Sequence, residues 1–108
     1  MPDSISISEK DNNRQVKVSR GTILVISLNE NPTTGFNWRM QPCPEHILIL
    51  EADDFSPGAG AGVGGGGTRR FQFRAIGAGR AAIRAKYRRT WDPENKFASE
   101  FTLDVLVE

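Results

Sequence analysis

Cysteine and histidine occur once each in the 108 residues, as Cys43 and His46, and that scarcity removes whole classes of chemistry. A structural zinc needs four ligands, so one thiol and one imidazole fall short and no metal site is expected. Within "PCPEHI", Pro42 and Pro44 bar the helical turn that would bring the thiol and imidazole together, so a nucleophile with its base is not expected either. A single thiol forms no internal disulfide. Stability must come from packing, and the redox compartment is left open. Long apolar runs are missing too: none approaches the ~20 residues that cross a bilayer. The start "MPDSISISEKD" lacks the basic and then apolar layout of a signal peptide. A membrane is therefore not an expected partner. Localisation stays unknown, because the mature part of an exported protein would begin in the same way.

Helical periodicity is also lacking, and what fills its place is period-2 alternation. Ile5 and Ile7 alternate with serines, Val16 and Val18 with Gln15 and Lys17. Ile23 to Leu28 is a continuous apolar run, which predicts a strand buried on both faces. Phe36, Trp38 and Met40 share one face of the next strand, and Trp38 is expected in the core on a central strand. Ile47 to Leu50 follows the prolines. Phe71, Phe73 and Ala75 alternate with Arg70, Gln72 and Arg74. After the turn "IGAGR", Ala81, Ile83, Ala85 and Tyr87 alternate with basic residues, and Phe101, Leu103, Val105 and Val107 close the pattern. Seven or eight short strands in a chain of one-domain length predict an all-β fold, an antiparallel β-sandwich spanning 1–108.

Net charge is +1, but its distribution is lopsided. From Thr68 to Trp91 the basic residues Arg69, Arg70, Arg74, Arg80, Arg84, Lys86, Arg88 and Arg89 run without one acid. Such a strip on one sheet could meet nucleic acid or an acidic protein. The alternative is a solvated face whose arginines pair with acids on neighbouring strands. Asp53 and Asp54 are the only adjacent acids. As strand neighbours they would point to opposite faces, so they make no acid–base dyad, and turn positions are expected for them.

Three connections stand out by composition. In "NENPTTGFNW", Asn31-Pro32 and Gly35 mark a turn, yet two consecutive threonines at its tip are stiffer than a plain turn requires. "SPGAGAGVGGGG" is a glycine run that cannot pack a core. No Lys-Ser or Lys-Thr ends it and a strand follows it, so it is not a phosphate loop. In "YRRTWDPENKF", Trp91 stands in polar company beside Arg89. It is either folded over the sandwich end or an exposed anchor of the kind found at binding hot spots.

On these three segments the chain resembles the chagasin-type inhibitors of papain-like cysteine proteases. The segment Asn31, Pro32, Thr33, Thr34, Gly35 and Phe36 matches that family's N-P-T-T-G-aromatic signature in full. The family's glycine motif is found as Gly64, Gly65, Gly66 and Gly67 before Thr68, with Gly62 to Gly65 as an offset reading. Its R-P-W motif appears as Arg89, Thr90 and Trp91, with Thr in place of Pro. The resemblance runs from about Ile23 to Val107. It implies an immunoglobulin-like antiparallel β-sandwich of seven to eight strands with three loops at one end that plug a protease cleft. Thr33 would pack against the protease's cysteine and Thr34 would hold the loop's shape. The glycine loop would bond through its backbone, and Trp91 would stack on an aromatic surface with Arg89 alongside. A papain-like cysteine protease is then the implied partner of a monomer that is not an enzyme and carries no cofactor. The rival readings are an immunoglobulin-like adhesion or structural module, and a single-stranded nucleic-acid binder that stacks bases on Phe71, Phe73 and Tyr87.

Overall fold

Alternation along each strand becomes two facing four-stranded sheets. In the computed structural model, residues 3–30, 36–57, 66–89 and 97–108 are described. The strands are β1 (Ser4–Ile7), β2 (Arg14–Val18), β3 (Ile23–Glu30), β4 (Phe36–Met40), β5 (Leu48–Pro57), β6 (Gly67–Ala75), β7 (Gly79–Arg89) and β8 (Phe97–Val107). The only described helical element is a 3-10 turn at Glu9–Asp11, closed by a capping box between Ser8 and Asp11. One sheet has the order β1-β3-β6-β5 and the other β2-β8-β7-β4. Pairing is antiparallel except for β1 with β3 and β2 with β8. No described helix is long and apolar enough to cross a membrane.

The inward rows meet as one core: Leu24, Ile26 and Leu28 from β3, Phe71 and Phe73 from β6, Ile83 and Ala85 from β7, and Phe101, Leu103 and Val105 from β8. Burying these side chains removes apolar surface from water at about 25 cal/mol per Å², the main force joining the sheets. The β3 run is not buried on both faces as expected. Leu24, Ile26 and Leu28 are fully buried, but Ile23, Val25 and Ser27 are only half-buried. A sandwich covers each sheet on one side, so even a continuous apolar run keeps a solvent face. Trp38 is buried as expected but not on a central strand, because β4 is an edge of its sheet.

Two further expectations are revised. The acids Asp53 and Asp54 lie within β5 and not in a turn. A bulge between Leu50 and Ala52 shifts the phase of that strand, so that Leu50 opposes Phe73 whereas Asp53 opposes Phe71 and Phe55 opposes Arg69. The extra residue thereby puts Asp53 in the row of Phe71, at the sheet's exposed edge, where its side chain stays 46% exposed. The basic strip, in turn, is divided between the sheets, because Arg69, Arg70 and Arg74 are on β6 and Arg80, Arg84, Lys86, Arg88 and Arg89 on β7. Arg74 pairs with Glu51 of the neighbouring strand at 3.0 Å, as the solvated-face reading expects.

Candidate functional site

The three connections singled out in the sequence open at one end of the sandwich. In the first sheet Glu30, the last residue of β3, lies opposite Gly67, the first residue of β6, and Gly67 lies opposite Pro57, the last residue of β5. In the second sheet Phe36, which begins β4, lies opposite Arg89, which ends β7, and Arg88 lies opposite Phe97, which begins β8. The first connection therefore crosses from one sheet to the other, whereas the glycine connection and the third each join neighbouring strands of one sheet. Asn31, Pro32, Thr33, Thr34, Gly35, Gly64, Gly65, Thr90 and Trp91 lie outside the described residues, as does all of the offset Gly62 to Gly65 reading. Of the residues expected to bind, Phe36, Gly66, Gly67 and Arg89 are described, and they stand at the roots of these connections.

Beneath the roots lies a polar cluster between the sheets. The Glu30 side chain is completely buried and that of Arg69 is 20% exposed. Arg69 Nη2 donates to Glu30 Oε2 at 2.8 Å, and its Nε lies 3.3 Å and 3.2 Å from the two carboxylate oxygens. On its other side Arg69 Nη1 donates to Asp53 Oδ1 at 3.0 Å. The guanidinium carbon stands 5.7 Å from the centre of the Phe55 ring, a cation–π distance. Hydrogen bonding to Glu30 pushes the Arg69 guanidinium above its ordinary value, against the opposing effect of burial, so the guanidinium stays charged. A buried charge needs such partners: removing one member of a buried pair costs about 3 to 5 kcal/mol.

Trp38 ties the second sheet into the cluster. Its backbone N–H donates to Glu30 Oε1 at 2.7 Å, and its indole Nε1–H donates to the Asn29 carbonyl at 2.8 Å. Its ring lies 5.0 Å from that of Tyr87, tilted by 32°. Pairing of β1 with β3 stops at Ile7 opposite Ile26, and the Asn29 N–H beyond that end donates to Glu9 of the 3-10 turn.

Sequence reasoning missed this cluster, although part of it carries a signal. Leu24, Ile26 and Leu28 are followed in the same inward row by Glu30, and Phe73 and Phe71 are preceded in theirs by Arg69. A carboxylate and a guanidinium ending two core-facing rows would have marked a buried pair. Asp53 carries no such signal, because its direction depends on the bulge.

The site has no equipment for covalent chemistry among the described residues. Burial pushes the Cys43 thiol up, and the neighbouring Glu45 carboxylate adds to that effect, which is the reverse of what a nucleophile requires. Cys43 also sits with Met40, Pro42 and Leu48 between the edge strands, away from the three roots.

Known proteins share this fold. The model of the chagasin family peptidase inhibitor I42 matches residues 17–105. Amoebiasin-1 of Entamoeba histolytica is 33% identical over 106 residues, covering 96% of this chain and 100% of that protein. The crystal structure of a cysteine protease inhibitor from Entamoeba histolytica superposes with a TM-score of 0.85 at 21% identity, over 97% of this chain and 95% of that one. A complex of PbICP-C with falcipain-2 contains the same fold, with a TM-score of 0.73 at 16% identity over 100% of this chain and 93% of the other. With a family model matched across most of its length, the chain belongs to the chagasin family of peptidase inhibitors.

Proposed function

We propose that the chain is a reversible inhibitor of papain-like cysteine proteases that fills the active-site cleft with three loops. The observation that carries this reading is that the roots of three strand connections lie together at one end of the sandwich. The first of them holds the complete Asn31 to Phe36 signature. In this reading Thr33 reaches the protease's cysteine and Thr34 supports the turn. Gly64 to Gly67 lies extended along one wall of the cleft and bonds through its backbone. Arg89, Thr90 and Trp91 cover the opposite wall, with Trp91 as the aromatic anchor. The inhibitor survives because it presents no scissile carbonyl in attack geometry. It is thus a ligand of an enzyme and not itself one.

The nucleic-acid reading loses two of its three stacking platforms, because Phe71 and Phe73 are fully buried while Tyr87 is half-buried, and the basic strip is split between sheets. Titration of papain or a cathepsin with the purified chain tests the proposal. Stoichiometric, reversible loss of peptidase activity is expected, whereas full activity at saturating protein would leave only an immunoglobulin-like binding module.

A further inference from the structure

We propose that Glu30 is a positioning residue that holds the first connection and the glycine connection in one arrangement, an inference that rests on the inhibitory reading above. Glu30 directly precedes residue 31, and Trp38 stands just inside β4. The Trp38 N–H bond to Glu30 Oε1 at 2.7 Å therefore closes the chain across the whole N-P-T-T-G-aromatic segment. The other carboxylate oxygen takes the Arg69 fork, two residues beyond Gly67, where the glycine connection ends. Arg69 in turn holds Asp53 on β5, the strand that leads into that connection. One carboxylate thus joins the start and finish of one loop to the finish of another, and through Arg69 to the strand before it.

Stability alone gives a poor reason for this arrangement. A buried ion pair is seldom better than apolar residues of the same shape, and the rows that contain Glu30 and Arg69 are otherwise apolar. An apolar pair could fill the space but could accept neither the Trp38 N–H nor a guanidinium. Fixing loop geometry before binding reduces the freedom lost on association, which is where such a clasp would act. The third connection has no bond to Glu30 among the described residues and serves as an internal control.

The test uses a papain-like protease that the wild-type chain inhibits. Glu30→Gln keeps an acceptor for Trp38 but turns an amide NH2 toward the Arg69 fork. Its inhibition constant, measured well below the unfolding temperature, should rise about tenfold or more. In a Thr33→Ala background the same substitution should cost about threefold or less, because both act through the first loop. In a Trp91→Ala background it should keep its full effect. Hydrogen exchange in the free protein should quicken at Phe36 to Trp38 and at Gly67 to Arg69, and stay unchanged at Ala81 to Ala85. Arg69→Lys, which keeps the charge and loses the fork, should follow the same pattern. Inhibition within twofold of wild type with unchanged exchange overturns the proposal. An equal loss in all backgrounds overturns it too, as does failure of both variants to fold, since either marks Glu30 as a general stabiliser. A wild-type chain that inhibits no such protease refutes the inhibitory reading instead, and the exchange measurement then decides the clasp alone.

Discussion

Trp38 and Trp91 are the two indoles of the chain, and under the proposed function they should separate stability from recognition at the scale of single residues. Trp38 is buried, stacks near Tyr87 and commits both of its N–H groups to β3. Replacing it with Ala should lower folding stability by about 3 to 5 kcal/mol, the usual range for a buried aromatic. Trp91→Ala should do the opposite. Stability is expected to change little, while affinity for the protease falls by about 2 kcal/mol or more, mostly through faster dissociation. Thermal unfolding and an inhibition titration on both variants check this division. A Trp91→Ala protein that melts early but still inhibits would make Trp91 a core residue. Thr33 offers a second residue-scale test. Thr33→Ala should leave the melting temperature unchanged and weaken inhibition, and alkylating the protease's own cysteine should weaken binding of the wild-type chain. If neither treatment moves the inhibition constant, the first connection does not enter the catalytic centre.

At the scale of elements, the two ends of the sandwich do different work. The end with the three connections carries the Glu30 cluster, whereas the opposite end is closed by tight backbone packing. Between β6 and β7 the N–H of Ile76 donates to the Ile47 carbonyl at 2.8 Å. Gly77 sits against the same segment, and a Cβ there would collide with the carbonyl oxygen of His46. Gly77→Ala must therefore displace the β6–β7 connection from residues 46 and 47, with an expected loss of about 1 to 3 kcal/mol. Chemical denaturation should register that loss. The inhibition constant at low temperature should not change, because the substitution lies at the far ends of β6 and β7 from Gly67 and Arg89. A large effect on inhibition would mean that the two ends are coupled through the strands.

For the whole molecule, charge is arranged by sheet rather than by sequence. The run of basic residues from Arg69 to Arg89 reads as one strip in the chain but turns a corner between β6 and β7, so its two halves belong to different sheets. In the β6 half Arg69 pairs with Glu30 and Asp53, and Arg74 pairs with Glu51. Among the described residues the basic side chains therefore form no continuous cationic track backed by exposed aromatic rings, which single-stranded nucleic acid requires. Surface pairs such as Lys17 with Glu108, at 3.4 Å and largely exposed, add little to stability.

Strand identity was legible in the sequence because a strand's side chains alternate with period 2, and the core rows of β6, β7 and β8 are alternating runs in which the inward apolar residues are separated by one polar or small residue, Leu106 excepted. The three connections were legible for a related reason: proline, glycine and paired threonines restrict the backbone locally, and their order along the chain carried the family resemblance. Other features depended on neighbours remote in sequence. Which face of β3 met solvent depended on there being only one facing sheet, and the basic strip was divided by the crossover between sheets. Asp53 stands opposite Phe71, within reach of Arg69, only because a bulge in β5 shifts its phase against β6. The Glu30 clasp is the clearest case. Its partners Trp38, Arg69 and, through Arg69, Asp53 come from three other strands, and only sheet register and sandwich packing bring their hydrogen-bonding groups within 3 Å or so of one another. Local preference acts over a few residues and is written in the chain. A buried charge, by contrast, is tolerable only where distant strands deliver its partners, and that is decided by the tertiary fold.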